Sequence, residues 1–547
     1  MKRFYTTLLI TVIGFSAFAQ NVSVSKADRL FKERAYMDAS EVYRLISDKD
    51  QHVLQNLADS YFYTNRMLSA EGNYKELFNR FDGNIAPEYR FRYGHALRAM
   101  GKHQEADEVL SEYFKKEVSL RKLAKELDTV APHSFRVQKL AQNNSSSDFG
   151  VAYMGDRVVF ASTRNEKRPI YIWNKKPYLD LFTAEMSADG EMSDVELFPG
   201  EINTDTHESS ATFNADNTVM FFNRTNEERV RADNERIKVA HISIYRAELI
   251  DGEWTNVQRV PFASDEYSTE HPSLSADGKK LYFASDMPGT MGSFDIFVVD
   301  VHEDGTYGEP KNLGPNVNTV HREQFPFMSS EDVLYFSSNG RTGFGNLDIF
   351  RTDVENGTYT ESQNLGGTVN SGYDDFAFVI KPGDDKGYFA SVDNGSESLY
   401  SFIREEIVRT EPEEVVAKEL VEENVVTGAQ QLRDVANIYF DFDRSEILPQ
   451  AEIVLDRVVN IMKDYPKLEL EIGSHSDARG PDEYNLNLSE RRAAATLEYI
   501  VSKGIDRSRL SSKGYGETMP LNNCTKPDMC TEEEYAINRR SEFKVMN

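Results

Sequence analysis

The chain has 547 residues, and its 39% apolar and 11% aromatic content is ample for packed cores, so several folded domains are expected and global disorder is excluded. With 62 basic and 90 acidic residues the formal charge is −28, which argues against a nucleic-acid partner or an anionic membrane surface. The pattern reads as a multidomain protein: an all-α helical repeat, an all-β repeat and a smaller α+β C-terminal module.

Residues 1–19 read as a cleavable signal peptide. Lys2 and Arg3 precede an apolar run from Leu8 to Phe18, and Ala17-Phe18-Ala19 forms a small-x-small cleavage site before Gln20. The run is short for a membrane span, and no cysteine in it would take a lipid, so an exported, soluble, non-lipidated chain is expected.

Residues 20–132 carry helical periodicity with few Gly or Pro. Three helical hairpins align on Ala39, Ala70 and Ala106, spaced 31 and 36 apart, on either side of the 34-residue period of tetratricopeptide repeats. Small residues at those positions let paired helices approach closely. The segment resembles that family through degenerate motifs, and a plain helical bundle is the simpler alternative.

Residues 133–403 contain a clearer repeat. The strands Val158-Val159-Phe160-Ala161-Ser162, Val219-Met220-Phe221-Phe222-Asn223, Leu281-Tyr282-Phe283-Ala284-Ser285, Leu334-Tyr335-Phe336-Ser337-Ser338 and Gly387-Tyr388-Phe389-Ala390-Ser391 recur at intervals between 53 and 62 residues. Each is followed by a second strand, as at Asp295-Ile296-Phe297 and Asp348-Ile349-Phe350. Periodic short strands of this kind predict a β-propeller, here of five blades, and they resemble TolB-type propeller repeats. An acidic residue sits ahead of the first strand of each copy: Asp148, Glu208, Glu270, Glu323 and Asp374. Two readings stand: a hydrogen bond within each blade, or an acidic ring at one mouth of the channel that takes a cation or a basic peptide.

Residues 404–433 turn acidic and lose the strand pattern, which predicts an extended, self-repelling linker. From 434 to 547 the pattern becomes β then α. Asn437 to Asp443 alternates as a strand, a helix spans about Ala451 to Lys463, and Leu468 to Ile472 is a second strand. A further helix runs from about Asp482 to Lys503 and is closed by Gly504, and Ser541 to Val545 is the last strand.

The chemistry concentrates in this module. Asp477, in the turn His475-Ser476-Asp477-Ala478-Arg479-Gly480, precedes Arg492 by 15 positions. A carboxylate on a turn and a guanidinium on a helix suit a ligand with an ammonium and a carboxylate on one carbon, because both contacts are charge-assisted. A plain salt bridge between loop and helix is the alternative. Arg492 lies about 100° from the buried position Ala493 and Arg491 about 200°, so helix geometry picks Arg492 over its neighbour. Cys524 and Cys530 are expected to form a disulfide in an oxidising compartment. A two-cysteine metal site would lack a nearby histidine to complete it.

The elements Tyr439-Phe440-Asp441-Phe442-Asp443, Ser476-Asp477-x-x-Gly480, Asn485-x-x-Leu488-Ser489-x-x-Arg492-Ala493, Gly514-Tyr515-Gly516-Glu517 and Asn538-Arg539-Arg540 resemble the OmpA C-terminal-like domain. The resemblance implies peptidoglycan as partner. Asp477 would take the ammonium of the diaminopimelate residue, Arg492 its carboxylate, and Asn485 would orient the ligand. Arg539 and Arg540 are weaker candidates, since either could pair with the many acids. The three-part architecture resembles multidomain OmpA-family proteins of Bacteroidetes envelopes. It implies a periplasmic scaffold at the outer membrane, which holds outer-membrane or periplasmic proteins through its helical repeats and propeller. The alternative is an accessory subunit of an outer-membrane complex such as the type IX secretion and gliding machinery. No cofactor, no metal and no enzymatic activity are expected. The chain carries no G-x-S-x-G, H-E-x-x-H or G-x-x-x-x-G-K-[ST] motif, which leaves a propeller-based enzyme as the least favoured reading.

Overall fold

The computed structural model describes residues 24–546, apart from 82, 84, 142–145, 188–189, 232–237, 394, 408–430, 433–434 and 528. The expected signal peptide and nearly all of the acidic linker lie outside the described residues. Seven helices come first: α1 (Val24–Lys32), α2 (Tyr36–Arg44), α3 (Gln51–Phe62), α4 (Met67–Phe81), α5 (Pro87–Ala99), α6 (His103–Phe114) and α7 (Leu120–Val130). Successive helices pack as the pairs α1/α2, α3/α4 and α5/α6, and each pair touches the next. Ala39, Ala70 and Ala106 are all fully buried, as expected for positions where a larger side chain would push paired helices apart.

Among the described residues five larger antiparallel sheets follow, four of four strands and one of five, beside a two-stranded ribbon of Val230–Arg231 and Lys238–Val239. Their first strands are Asp148–Met154, Glu208–Phe213, Thr269–Leu274, Glu323–Met328 and Asp375–Ile380. Each first strand touches the next and the last touches the first, so the sheets follow one another round a ring. Every first strand holds one residue at positive φ (Gly150, Ser210, His271, Phe325 and Ala377) where its register with the second strand slips. Such a bulge bends the strand and raises its twist. The strand His133–Lys139, which directly follows the helices, pairs antiparallel with Ser396–Glu406 and completes the fifth sheet. That pairing carries the last strand on to Glu406, so Arg404, Glu405 and Glu406 belong to the sheet and not to the linker.

A recurring asparagine stitches three of the sheets. Asn203, Asn318 and Asn370 each accept the backbone N–H of Leu181, Ile296 and Ile349, all at 2.7 Å. Each amide also donates to the carbonyl of that same residue, at 3.0, 2.9 and 3.0 Å. The side chain thus supplies an acceptor for a buried N–H and shares the carbonyl with a backbone N–H from the next segment, that of Phe198, Leu313 or Leu365.

The acidic residues singled out in the sequence do not share one structural position. Asp148, Glu208 and Glu323 open their strands, but Glu270 is second in its strand behind Thr269, and Asp375 rather than Asp374 opens the fifth. Their carboxylates are engaged locally. Ser162 Oγ donates to Asp148 at 2.5 Å, Thr204 Oγ1 to Glu208 at 2.6 Å, and Ser338 Oγ to Glu323 at 2.6 Å. Arg164, Arg224 and Arg341 pair with the same three acids. Gln324 donates to Glu270 at 3.3 Å and Asn346 to Asp374 at 2.7 Å. Burial pushes the Glu208 and Glu270 carboxyls up to about 7. Burial without a partner would be too costly, so each acid is tied to nearby donors.

The helices are fastened to the ring. The Trp173 indole, on a loop of the first sheet, donates to the Tyr63 carbonyl at 2.9 Å and meets the Tyr36 ring edge-on at 4.8 Å. On another sheet His321 stacks on Phe91 at 4.5 Å. Replacing Asn318 with Ala is expected to destabilise the ring by about 2 kcal/mol, because it orphans the buried Ile296 N–H, while the Ile296 carbonyl keeps the Leu313 N–H at 3.1 Å. An unchanged urea midpoint for that variant would refute the stitching role.

Candidate functional site

The C-terminal module is built on a four-stranded mixed sheet in the order Ile438–Tyr439, Arg540–Val545, Leu470–Ser474, Leu510–Gly514. The last two run parallel and the other pairs antiparallel. Helix α8 (Pro449–Asp464), α9 (Asp482–Ser502) and the short α10 (Glu532–Asn538) complete it. Leu455, Val458, Met462, Leu470, Ile472, Ala493, Leu497 and Ile500 form its core. Gly504 has φ 96°, the left-handed helix ending anticipated from the sequence.

The strand expected over 437–443 is only Ile438–Tyr439, and the chain turns sharply from Asp441 to Arg444. The cause is Arg492. Its side chain is fully buried, and its guanidinium donates to the carbonyls of Arg444 at 2.8 Å, His475 at 3.0 Å and Asp441 at 3.0 Å. Those carbonyls face the guanidinium only because the chain leaves the extended conformation. Arg491 is exposed, as helix geometry anticipated, and Ala493, Thr496, Leu497 and Ile500 are buried. Among the described residues no carboxylate pairs with Arg492. Burial, and then the charge of Arg539, brings its pKa down to about 10.

Asp477 lies in the turn just beyond the central strand. His475 N–H donates to Arg540 O at 2.8 Å and Ser476 N–H to Gly516 O at 2.9 Å, which fixes that turn against both neighbouring strands. The Asp477 carboxylate is buried and shared. Arg479 Nη2 donates to Oδ2 at 2.6 Å, Arg539 Nη1 to Oδ2 at 3.0 Å, and Arg479 N–H to Oδ1 at 3.3 Å. Burial alone would raise its pKa, but the hydrogen bonds from Arg479 and Arg539 outweigh it and the group lies below the ordinary aspartate range. Its stabilising contribution is therefore complete above the unfolded aspartate pKa of about 3.9 and is lost as pH falls through the lowered value.

Asn485, on the first turns of α9, donates to Gly480 O at 3.0 Å and also to Glu517. A Cβ on Gly480 would sit 2.7 Å from Asn485 Oδ1, and one on Gly514 would sit 2.5 Å from the Glu490 backbone nitrogen. Both glycines are thus needed for the turn and the strand end to press against α9. Ser476 Oγ is buried and has no hydrogen-bond partner among the described residues. The His475 ring stacks on Tyr515 at 5.3 Å, and burial followed by the charge of Arg540 lowers its pKa to about 4, so it is neutral at physiological pH.

The structure brings Asp477, Arg492 and Asn485 to one junction of turn and helix. Sequence reasoning undervalued Arg539 and missed Arg479 and Glu532. Arg539 is buried, donating to Phe440 O at 2.9 Å, to Asp477 and to Glu532 at 2.9 Å. The signal available was the place of Asn538-Arg539-Arg540 at the head of the last strand, whose neighbour ends at the Asp477 turn. Cys524 and Cys530 are joined by a disulfide.

Residues 439–532 match the OmpA family, so the C-terminal module is an OmpA-family domain. The peptidoglycan-associated lipoprotein of Rhizobium meliloti is 41% identical over 100 residues, 18% of this chain and 57% of that protein. Outer membrane porin F of Pseudomonas fluorescens is 37% identical over 117 residues, 21% of this chain and 34% of that protein. The chain thus spans about a third to somewhat over half the length of these relatives. Among solved structures, the peptidoglycan-associated lipoprotein of Burkholderia pseudomallei is 26% identical, with 20% of this chain and 89% of that chain covered and a TM-score of 0.19.

Arg492→Ala should destabilise the C-terminal module by about 3 kcal/mol, since three backbone carbonyls lose a charged donor at once. Thermal denaturation followed on the full chain checks this, and a melting temperature equal to wild type would refute it. Removal of the disulfide by Cys524→Ala with Cys530→Ala should cost about 2 kcal/mol, the chain-entropy value for so short a loop, with the same readout.

Proposed function

We propose that this chain is a periplasmic cell-envelope scaffold whose C-terminal module grips peptidoglycan and whose remaining domains hold other envelope proteins. One observation carries the reading: within an OmpA-family match, Asp477 and Arg492 meet at a single turn, with Arg492 donating to the carbonyl of His475, two residues before Asp477. The relatives named for peptidoglycan association share this module.

The ligand on this reading is the diaminopimelate end of a stem peptide. Arg492 spends three N–H groups on carbonyls and retains two for a carboxylate, and no carboxylate among the described residues pairs with it. Among the described residues Asp477 Oδ1 accepts one backbone N–H, which leaves lone pairs for an ammonium. The unpartnered Ser476 hydroxyl offers a further polar contact, and Asn485 fixes the geometry of the turn. Charge-assisted pairs at both ends of a zwitterion favour it over a neutral peptide terminus.

The five sheets read as blades of a TolB-type propeller and the helix pairs as tetratricopeptide-like repeats. The cyclic order of the first strands and the spacing of Ala39, Ala70 and Ala106 support this. Repeat surfaces of both kinds present concave faces suited to protein partners. No helix among the described residues is long and apolar enough to cross a membrane.

Asp477→Ala is expected to abolish retention of the purified protein by isolated sacculi while the far-UV spectrum is kept. Arg492→Lys, which keeps the charge in a smaller group, should weaken retention about tenfold because a point charge cannot match the carboxylate with a planar fork. Sacculus pull-down of Asp477→Ala at wild-type level would sink the assignment.

A further inference from the structure

The Asp477 carboxylate belongs to a closed ring of four charges. Asp477 Oδ2 meets Arg479 Nη2 at 2.6 Å, and Arg479 Nη1 meets Glu532 Oε2 at 2.6 Å. Glu532 Oε1 meets Arg539 Nη2 at 2.9 Å, and Arg539 Nη1 returns to Asp477 Oδ2 at 3.0 Å. Two positive and two negative groups alternate, so the ring is neutral as a whole. Each arginine is shared between a buried acid and an outer one: the Asp477 side chain is 6% exposed and that of Glu532 55%.

Glu532 reaches this position through structure that the ligand never touches. It is the first residue of α10, whose cap is Thr531: the Thr531 hydroxyl accepts the Glu534 N–H, and the Glu534 carboxylate accepts the Thr531 N–H. Thr531 follows Cys530 directly, so the disulfide-closed loop fixes the start of the helix. Tyr535, one turn on, accepts the Met529 N–H at 2.9 Å and donates to the Lys526 carbonyl, which fastens the helix to that loop. The same Tyr535 ring lies 4.6 Å from the Arg479 guanidinium carbon, with Phe442 4.2 Å away from it. Arg479 is therefore aimed by two rings and two carboxylates.

We propose that Glu532 is a positioning residue for ligand binding: by taking one arm of each arginine, it leaves the Asp477 carboxylate with charge and lone pairs to spare for a ligand ammonium. Without Glu532 the ring carries a net positive charge, and both guanidinium groups turn fully on Asp477. An incoming ammonium then meets a saturated acceptor and one uncompensated positive charge. This role of Glu532 rests on the reading of Asp477 as the ammonium site. It goes beyond that reading by assigning a part in recognition to the disulfide loop and α10.

Because Glu532 is more than half exposed, its ion pairs add little to stability, and its substitution should leave the fold intact. The test is a titration of the full chain with meso-diaminopimelate, and separately with pimelate, which has the two carboxylates and no ammonium. Glu532→Gln is expected to bind diaminopimelate about tenfold more weakly, the order of one charge-assisted contact, and to leave the weaker pimelate binding unchanged. Glu532→Asp should recover most of the loss. Equal diaminopimelate affinity in wild type and Glu532→Gln, with Asp477→Ala inactive, overturns the positioning role alone. A parallel loss of both ligands in Glu532→Gln would also overturn it, since that marks a general structural effect. Unaltered binding by Asp477→Ala as well would remove the ligand assignment on which the proposal stands.

Discussion

Enclosing the Arg492 guanidinium is the constraint that organises the C-terminal module. A buried guanidinium retains its charge, so N–H groups that leave water need acceptors, and three of the five have them in the protein. Here the acceptors are backbone carbonyls from two separate segments, Asp441 to Arg444 and His475. One side chain on α9 thereby dictates the path of the chain after the first strand and holds the turn that carries Asp477. Because carbonyls solvate the cation without neutralising it, the site keeps a positive potential that a protein carboxylate would have cancelled.

The acid beside it is handled in the opposite way. Asp477 is surrounded by full positive charges, and those cations are themselves balanced by Glu532. The two halves of the site are thus tuned separately, one by neutral dipoles and one by a closed set of ion pairs. The rest of the molecule meets the same problem of buried polar groups with different devices. In the sheets, Asn203, Asn318 and Asn370 stand in for missing backbone partners, while hydroxyls and arginines hold Asp148, Glu208 and Glu323. The strand 133–139 lets the chain leave the helices and enter the ring as the outer strand of the fifth sheet.

Much of this was legible in the sequence where a pattern is local. Helix α9 begins at Asp482 as expected and its buried stripe follows 3.6-residue periodicity, so Arg492 separates from Arg491 on geometry alone. The five strand repeats correspond to five sheets because each copy contains its own turn residues and apolar core positions. The strand after Asn437 was overestimated for a non-local reason. Alternation of Tyr439, Phe440, Asp441 and Phe442 looks extended, yet the acceptor demand of Arg492, fifty residues downstream, bends it. The acidic residues of the repeats looked equivalent because spacing along the chain does not reveal a shift of one residue in a strand's start. Such a shift reverses the face on which a side chain lies.

Taken by itself, the sequence determined the division into helical, sheet-repeat and α+β parts, the positions of the repeats, the identity of Asp477, Asn485 and Arg492 as candidates, and the spacing of the two cysteines. These follow from periodicity and short motifs, which act over one or two turns or strands. Only the tertiary structure decided what each charge faces: carbonyls for Arg492, two arginines for Asp477, and Glu532 closing the ring from a helix 55 positions away. Electrostatic partnership depends on distances of 3 to 4 Å through space. Chain spacing sets no such distance until sheet order brings the Asp477 turn beside the Arg539 segment.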